Sequence, residues 1–493
     1  MSWIPDWLTS RSRLTPERIA VVEAETGKRW SYQELNQHAE QLAFVLQEEG
    51  VKKGDRVAIL APNHLSYAEL LFACAKIGAI FVPLNWRLAL KELKMVVEDC
   101  TPHLLFYHPS FHEWAKRLPI QKKMDHQEWK KRNGMEMRWK REEPDIEDPW
   151  MILYTGGTTG KPKGVVLSHR AIFWNAINTI LSWHLTADDK TLVYLPMFHT
   201  GGLNALATPL WYMGGTVVIG DQFEAEMAME VIEREQCTIV LMVPTMYHRL
   251  IQSPAFERNS FSSMRVFLSG GAPCPLNIYD AFIKKGISFK EGYGMTEAGP
   301  NNFQIDPEVA KRKKGSVGLP MFFNEIRLMD GRVEVTEPEK VGEIWIRGGH
   351  LFGCYWNNPE ATQAALQNGW FRTGDLGKRD QDGYYYIVGR QKDMIITGGE
   401  NVYPTEVEQV ILEHPDVEEV TVFGIPHEQW GEEVTAVIVL KERSTLTAKQ
   451  LQNFIRKRLG GYKVPKKMVF VDELSKTAVG KIDKKELINR YGL

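Results

Sequence analysis

The chain has 493 residues, with 60 Lys and Arg against 62 Asp and Glu, a formal charge of -2. That length exceeds one ordinary domain and allows a large buried core. The near-balance of charge excludes a global pull toward nucleic acid or an anionic membrane, so any anion site must be local.

The N-terminus, "MSWIPDWLTSRSR", lacks the basic start and apolar core of a signal peptide. Cys74, Cys100, Cys237, Cys274 and Cys354 are scattered without a C-x-x-C pair, which argues against a disulfide framework or a zinc site and for a reducing, cytoplasmic setting. A capping box of Ser31 and Glu34 predicts a helix over Tyr32–Glu49. The apolar run Leu70–Leu84 is too short to span a membrane and is broken by Lys76, so it reads as a buried helix running into a strand. Short Val/Ile/Leu-rich strands are predicted at 55–60, 103–108, 151–155, 191–196, 216–220, 238–244 and 265–271, with helix-length segments between them. That alternation implies βαβ units and largely parallel sheets. The charged segment Gln121–Glu143 reads as a solvated loop or edge excursion. From about residue 316 closely spaced strands predict an antiparallel, barrel-like or meander subdomain. After Arg390 an α+β pattern resumes, with "TEVEQVILEHP" and "TAKQLQNFIRKRL" as helices and "EVTAVIVLK" as a strand.

"YTGGTTGKPKG" (154–164) directly follows one of these strands. Glycines there let backbone N–H groups turn toward an anion, and threonine and lysine add donors. A plain hairpin between "MILYT" and "GVVLSH" would explain the same residues. The loop fails as a Walker A motif: Pro162, not Ser or Thr, follows Gly160-Lys161, and Thr155 stands five before Gly160.

The loop resembles the phosphate loop of the adenylate-forming superfamily, which includes acyl-CoA synthetases, aryl-CoA ligases, adenylation domains and luciferases. "GYGMTE" (292–297), "GEIWIRG" (342–348), "GWFRTGD" (369–375), "GRQKDMIITGGENVYPTEVE" (389–408) and "TAVGKI" (477–482) extend the resemblance, in order, over nearly the whole chain. It implies an α/β fold: a large N-terminal domain (1–390) of two βαβ-type subdomains plus the β-barrel-like one, and a small mobile α+β C-terminal domain (391–493) with its hinge at Lys392. The implied activity is that of an ATP-dependent acid–thiol ligase, in which a carboxylate attacks the α-phosphate of ATP, pyrophosphate leaves, and the acyl group passes to a thiol.

The resemblance also implies site residues. Thr155, Gly156, Gly157, Thr158, Thr159, Gly160 and Lys163 would hold the phosphates, Gly156 standing where many relatives have serine. Thr296 would contact the α-phosphate, and Glu297, with Thr158, would hold Mg²⁺, a hard cation suited to oxygen ligands. Gly292, Tyr293 and Gly294 would flank the adenine on one side and Gly271, Ala272 and Pro273 on the other. Asp375 and Arg390 would take the ribose; taken alone, Asp375 would read as a turn residue. Lys481 would enter from the small domain to stabilise the adenylation transition state. Gly398, Gly399 and Glu400 would line the tunnel for the pantetheine arm of CoA.

"LPMFHTGGL" (195–203) would place His199 at the acyl-pocket wall with Gly270, Gly294, Pro300 and Thr245, and no Asp is there to bind an α-ammonium. An amine-free acid is expected, a medium- or long-chain fatty acid first and an aryl acid such as succinylbenzoate or a cinnamate second. The stretch after Lys481 has no room for a carrier domain, which favours free CoA as acceptor. A homodimer is the assembly the likeness suggests, and a non-catalytic adenylate-binding module is the reading from another class.

Overall fold

The computed structural model describes residues 6–129, 140–156, 162–477 and 482–491. Local chemistry sets its elements as the sequence implies. Ser31 Oγ accepts the Glu34 N–H at 3.2 Å and the Glu34 carboxylate accepts the Ser31 N–H at 2.7 Å, opening the helix Tyr32–Glu48. The Leu70–Leu84 run becomes a buried helix, Ser66–Ile77, stopped by Gly78 in the left-handed region (φ 68°), and then the strand Ile80–Pro83.

The first sheet has seven strands, in the order Cys354–Tyr355, Lys163–Ser168, Pro149–Thr155, Ile80–Pro83, Arg56–Leu60, Leu104–Tyr107 and Lys122–Asp125. The last of these falls inside the charged segment expected to be a loop. It pairs in parallel with Leu104–Tyr107 and buries Met124 while Lys122 stays exposed, which suits an edge strand.

The second layer consists of two ladders side by side. One runs Arg29–Ser31, Ile19–Glu23, Thr216–Ile219, Lys190–Val193; the other runs Ile239–Met242, Val266–Ser269, Phe289–Glu291. Their facing edges, Lys190–Val193 and Ile239–Met242, are tied at one end, where Thr238 N–H donates to the Lys190 carbonyl (2.9 Å) and Lys190 N–H to Thr238 Oγ1 (3.1 Å). Beyond that rung no ladder joins them among the described residues, and the wedge between them is closed off by Gly201, Gly202 and Leu206.

Residues 303–390 form an eight-stranded antiparallel meander in which Trp370–Arg379 pairs with Tyr385–Arg390. The smaller C-terminal domain has a five-stranded sheet over residues 395–471, flanked by the helices Pro404–Leu412, Ala448–Arg456 and Lys484–Tyr491. Its core, including Ile395, Val407, Ile411, Ile438 and Leu451, is separate from those of the large domain. Among the described residues no helix is long and apolar enough to cross a membrane.

Candidate active site

Two adjacent parallel strands, Val266–Ser269 and Phe289–Glu291, deliver the segments Gly270–Pro273 and Gly292–Glu297 to the same C-terminal sheet edge, the usual ligand edge of such sheets. Glu291 joins the two segments. Its Oε1 accepts the Cys274 N–H at 2.9 Å, and its Oε2 lies 3.1 Å from the Tyr279 hydroxyl. Burial pushes its carboxyl up to about 8, so it is largely neutral at pH 7. Its neighbour Lys290 is pushed down to about 7 by burial, bonds Gln304 Oε1 at 2.8 Å and lies 5.0 Å from the Trp183 ring centre.

The Tyr293 hydroxyl donates to Asp375 Oδ2 at 2.7 Å, and Arg390 Nε lies 3.3 Å from Asp375 Oδ1. Asp375 and Arg390 are Cα partners across the hairpin, which fixes their meeting. Gly374, at φ 70°, turns the chain so that Thr373 Oγ1 receives the Asp375 N–H at 3.0 Å. Burial, and then the Asp375 charge, holds the Tyr293 phenol well above its ordinary value, so it remains a donor.

Glu297 lies at the end of the same segment. Tyr355 donates its hydroxyl to Glu297 Oε1 at 2.9 Å, and Lys163 Nζ sits 5.1 Å from the Tyr355 ring centre. Burial raises the Glu297 carboxyl; the Tyr355 hydrogen bond and the Lys163 charge pull it back down. Thr155 and Lys163 oppose each other at the open end of the hairpin that carries the phosphate loop. Thr296, next to Glu297 in sequence, is buried. The fold thus brings Tyr293, Asp375 and Arg390 into one network and Glu297 and Lys163 into a second. Tyr355 and Glu291 were not expected from sequence: Tyr355 sits in a two-residue strand with no periodicity to flag it, and Glu291 looked like one more strand residue.

On the acyl side, His199 precedes the helix Thr200–Asn204; its carbonyl receives Gly202 and Leu203 N–H at 3.1 Å each, and its ring lies 4.7 Å from that of Phe198. A small cavity of about 10 Å³ follows, room for about one water, lined by Thr191, Leu192, Val193, Leu195, Leu206 and Leu241 among others. Gly270 borders it, since a Cβ there would stand 3.4 Å from Leu241 Cδ1, and Thr245 lies on the next helix, Pro244–Gln252. Gly294 serves another purpose than opening a pocket: its Cβ would fall 2.2 Å from the Pro300 backbone, so the missing side chain lets the 294–300 turn close.

In the C-terminal domain Gly398 (φ 60°) and Gly399 (φ 85°) form a tight turn between Ile395–Thr397 and Glu400–Val402. Gly398 N–H donates to the Trp430 carbonyl at 2.8 Å, and Gly398, Gly399 and Glu400 are exposed. Lys392 lies in the single turn Gln391–Asp393 that follows Arg390, and His248 of the large domain approaches Glu418 of the small one at 3.7 Å. Gly157, Thr158, Thr159, Gly160 and Lys481 lie outside the described residues. Among the described residues no three His, Cys, Asp or Glu side chains form a metal cluster. Glu297 offers one carboxylate, which fits a Mg²⁺ that keeps waters and takes its remaining oxygens from phosphate.

The AMP-binding enzyme family matches residues 8–356, and the AMP-binding enzyme C-terminal domain matches residues 406–481. The chain belongs to the AMP-binding enzymes. Curated members similar to it include a feruloyl-CoA synthase of Amycolatopsis sp, 39% identical with 99% of this chain and 98% of that protein covered. The long-chain-fatty-acid–CoA ligase FadD13 of Mycobacterium tuberculosis is 36% identical, with 98% and 97% covered. Among solved structures, the O-succinylbenzoate coenzyme A synthetase of Bacillus subtilis in complex with ATP and magnesium ion matches with a TM-score of 0.89 at 33% identity, over 98% of this chain and 99% of that one. The protein is accordingly an AMP-forming acyl-CoA synthetase, with ATP, Mg²⁺ and CoA as the cofactor and co-substrates of its class.

Proposed function

We propose that the protein activates an apolar monocarboxylic acid as its acyl-adenylate at the Tyr293–Asp375–Glu297 edge and then transfers the acyl group to CoA. The observation that carries this reading is the meeting of two networks at one sheet edge: Asp375 held by Tyr293 and Arg390, and Glu297 held by Tyr355 beside Lys163. An ionised carboxylate is an acceptor-only group, which suits Asp375 to accepting ribose hydroxyls. Arg390, 3.3 Å from Asp375 Oδ1, sets its angle. The Tyr293 ring, anchored through its hydroxyl, would give the adenine a fixed face, with Gly271–Pro273 opposite and Gly292 keeping the approach open.

Thr155, Lys163 and the loop residues Gly156 to Gly160 would hold the leaving pyrophosphate, and Thr296 the α-phosphate. Glu297, with Thr158, would hold Mg²⁺, which supplies charge neutralisation to the phosphates when bound. Lys481 would bring a positive charge to the acid and the α-phosphate as the bond forms. The domain boundary falls after Arg390. Rotation about Lys392 would then replace Lys481 by the turn Gly398–Glu400, now exposed, which leads the CoA thiol to the adenylate. His199, at the mouth of the wedge, would orient the carboxylate.

For the acid, the wedge walls matter. Val193, Leu195, Leu206 and Leu241 give it aliphatic walls, which suit an apolar acyl group. No charged side chain lines it, so a second carboxylate, as on succinylbenzoate, would be buried without a partner. The test is acid-dependent release of AMP and pyrophosphate with CoA, over a panel of aliphatic, aryl and dicarboxylic acids. AMP release with aryl or medium-chain monocarboxylates is expected. No acid-dependent AMP with any member would overturn the reading in favour of a binding module.

A further inference from the structure

Asp375 stands where two strands fail to match. Gly342–Arg347 and Trp370–Arg379 run antiparallel, with Glu343 opposite Leu376 and Trp345 opposite Arg372. Ile344 alone therefore faces three residues, Thr373, Gly374 and Asp375. A bulge of this kind re-aims a side chain, here toward Tyr293 and Arg390, but it leaves backbone groups without rungs in the ladder.

Two side chains take those groups. Thr373 Oγ1 donates to the Ile344 carbonyl at 2.7 Å and accepts the Asp375 N–H at 3.0 Å. Glu343 Oε1 accepts the Gly374 N–H at 3.1 Å. Thr373 belongs to the turn itself, whereas Glu343 reaches in from the neighbouring strand, 31 positions away in the chain. It is only 8% exposed, and its other oxygen accepts Trp345 Nε1–H at 2.9 Å and lies 3.4 Å from an Arg372 nitrogen. A carboxylate offers acceptors alone, so it can meet all three donors at once. Burying one is costly without such donors. What it holds is a glycine at φ 70°, a residue whose backbone is otherwise free to visit either sign of φ. A turn of that peptide would swing the carboxylate of the next residue, Asp375.

We infer that Glu343 is a positioning residue: by holding the Gly374 N–H it fixes the bulge and so sets the Asp375 carboxylate for the ribose of ATP. It acts through the backbone of Gly374. This rests on the ligase reading, with Asp375 as ribose acceptor, and goes further by naming the residue that keeps that acceptor in place.

The test compares ATP with 2′-deoxy-ATP, which differ only in one ribose hydroxyl, at a saturating concentration of the best acid in the panel. The readouts are kcat and KM for pyrophosphate release with each nucleotide, and the melting temperature. The wild type should prefer ATP by about tenfold in kcat/KM, the worth of one hydrogen bond to a charged acceptor. Glu343→Asp keeps a charge beside Arg372 but is one methylene too short for Gly374, and Glu343→Ala withdraws the oxygen altogether. Both should raise KM for ATP by about tenfold, leave kcat at saturating ATP nearly unchanged and erase the preference for ATP. KM for 2′-deoxy-ATP should move far less. Should Glu343→Ala fail to fold, Glu343→Asp carries the comparison. Trp345→Phe removes the donor to the other oxygen and leaves Gly374 held, so it should keep the preference even at a lower melting temperature. A preference retained in the Glu343 variants, or lost to the same degree in Trp345→Phe, overturns the inference while leaving the ligase reading intact. So does a wild type indifferent to the 2′-hydroxyl. Failure of every acid to drive pyrophosphate release from ATP overturns the ligase reading itself, and the inference with it.

Discussion

Along the nucleotide edge the carboxyl groups already have protein partners. Glu291 is tied to Cys274 and Tyr279, Glu297 to Tyr355, and Asp375 to Tyr293 and Arg390. The acyl wedge, a few residues away on the same sheets, is lined by aliphatic side chains and no charged one. The first region is built before its ligand arrives, as electrostatic stabilisation requires, because donors that must reorganise during the reaction contribute little. The second presents apolar walls that can sort acids by shape. Chemistry rests on charged partners; selectivity rests on packing.

The sharpest way to break that contrast is on the nucleotide side. Lys481→Ala should lower ATP–pyrophosphate exchange by about a thousandfold, near the upper range for removing one preorganised donor, while CoA transfer from a presynthesised acyl-adenylate continues. Intact exchange would show that the charge comes from elsewhere. Asp375→Ala removes the ribose acceptor and leaves the buried Tyr293 hydroxyl unpaired. Its expected cost is about a hundredfold in kcat/KM for ATP, with the relative rates of different acids unchanged. A shift in acid preference would mean that the two regions are not separable.

Glu291 makes the preorganisation measurable as stability. Its carboxyl is raised in the folded state to about 8, so the native state keeps a proton there that the unfolded chain has lost. Stability from this group is full at acidic pH and falls as pH rises from about 4.5 to 8. Glu291→Gln can keep both contacts, its carbonyl accepting from Cys274 and its amide donating to Tyr279. Melting scans should show a shallower decline over that window in the variant; parallel curves would mean the carboxyl is ionised in the fold. Tyr355→Phe keeps the ring under Lys163 but removes the donor to Glu297, and should cost about tenfold in kcat/KM, partly recovered by more Mg²⁺. If Mg²⁺ has no effect, Tyr355 supports the loop and not the metal side. The smallest effect is expected from Gly156→Ser. Among the described residues a Cβ there meets nothing within 4 Å, so the change should alter KM for ATP by about threefold or less and leave acid preference alone.

What the sequence made legible follows the same division. The phosphate loop, the Tyr293 segment and the Asp375 turn stood out because they are contiguous, and the fold brings their ends together as strand succession requires. Ser31 with Glu34 likewise placed a helix start from four residues. Tyr355 escaped notice because its significance lies in Glu297, 58 positions away in the chain. The wedge could not be read at all: it lies between two strands tied at one end and joined by no ladder beyond it among the described residues, and neither "TLVYLP" nor "TIVLMVP" carries any mark of that seam. The strand Lys122–Asp125 was masked by its own charge, since its register, and not its composition, buries Met124.

That seam has a cost apart from selectivity. Lys190–Val193 and Ile239–Met242 are each the border of a ladder, and each shields the other from an intruding strand. Widening the gap to admit a bulkier acid would uncover two rows of unsatisfied backbone groups. Variants selected for larger substrates at this seam should therefore fail first by self-association, before their chemistry is impaired.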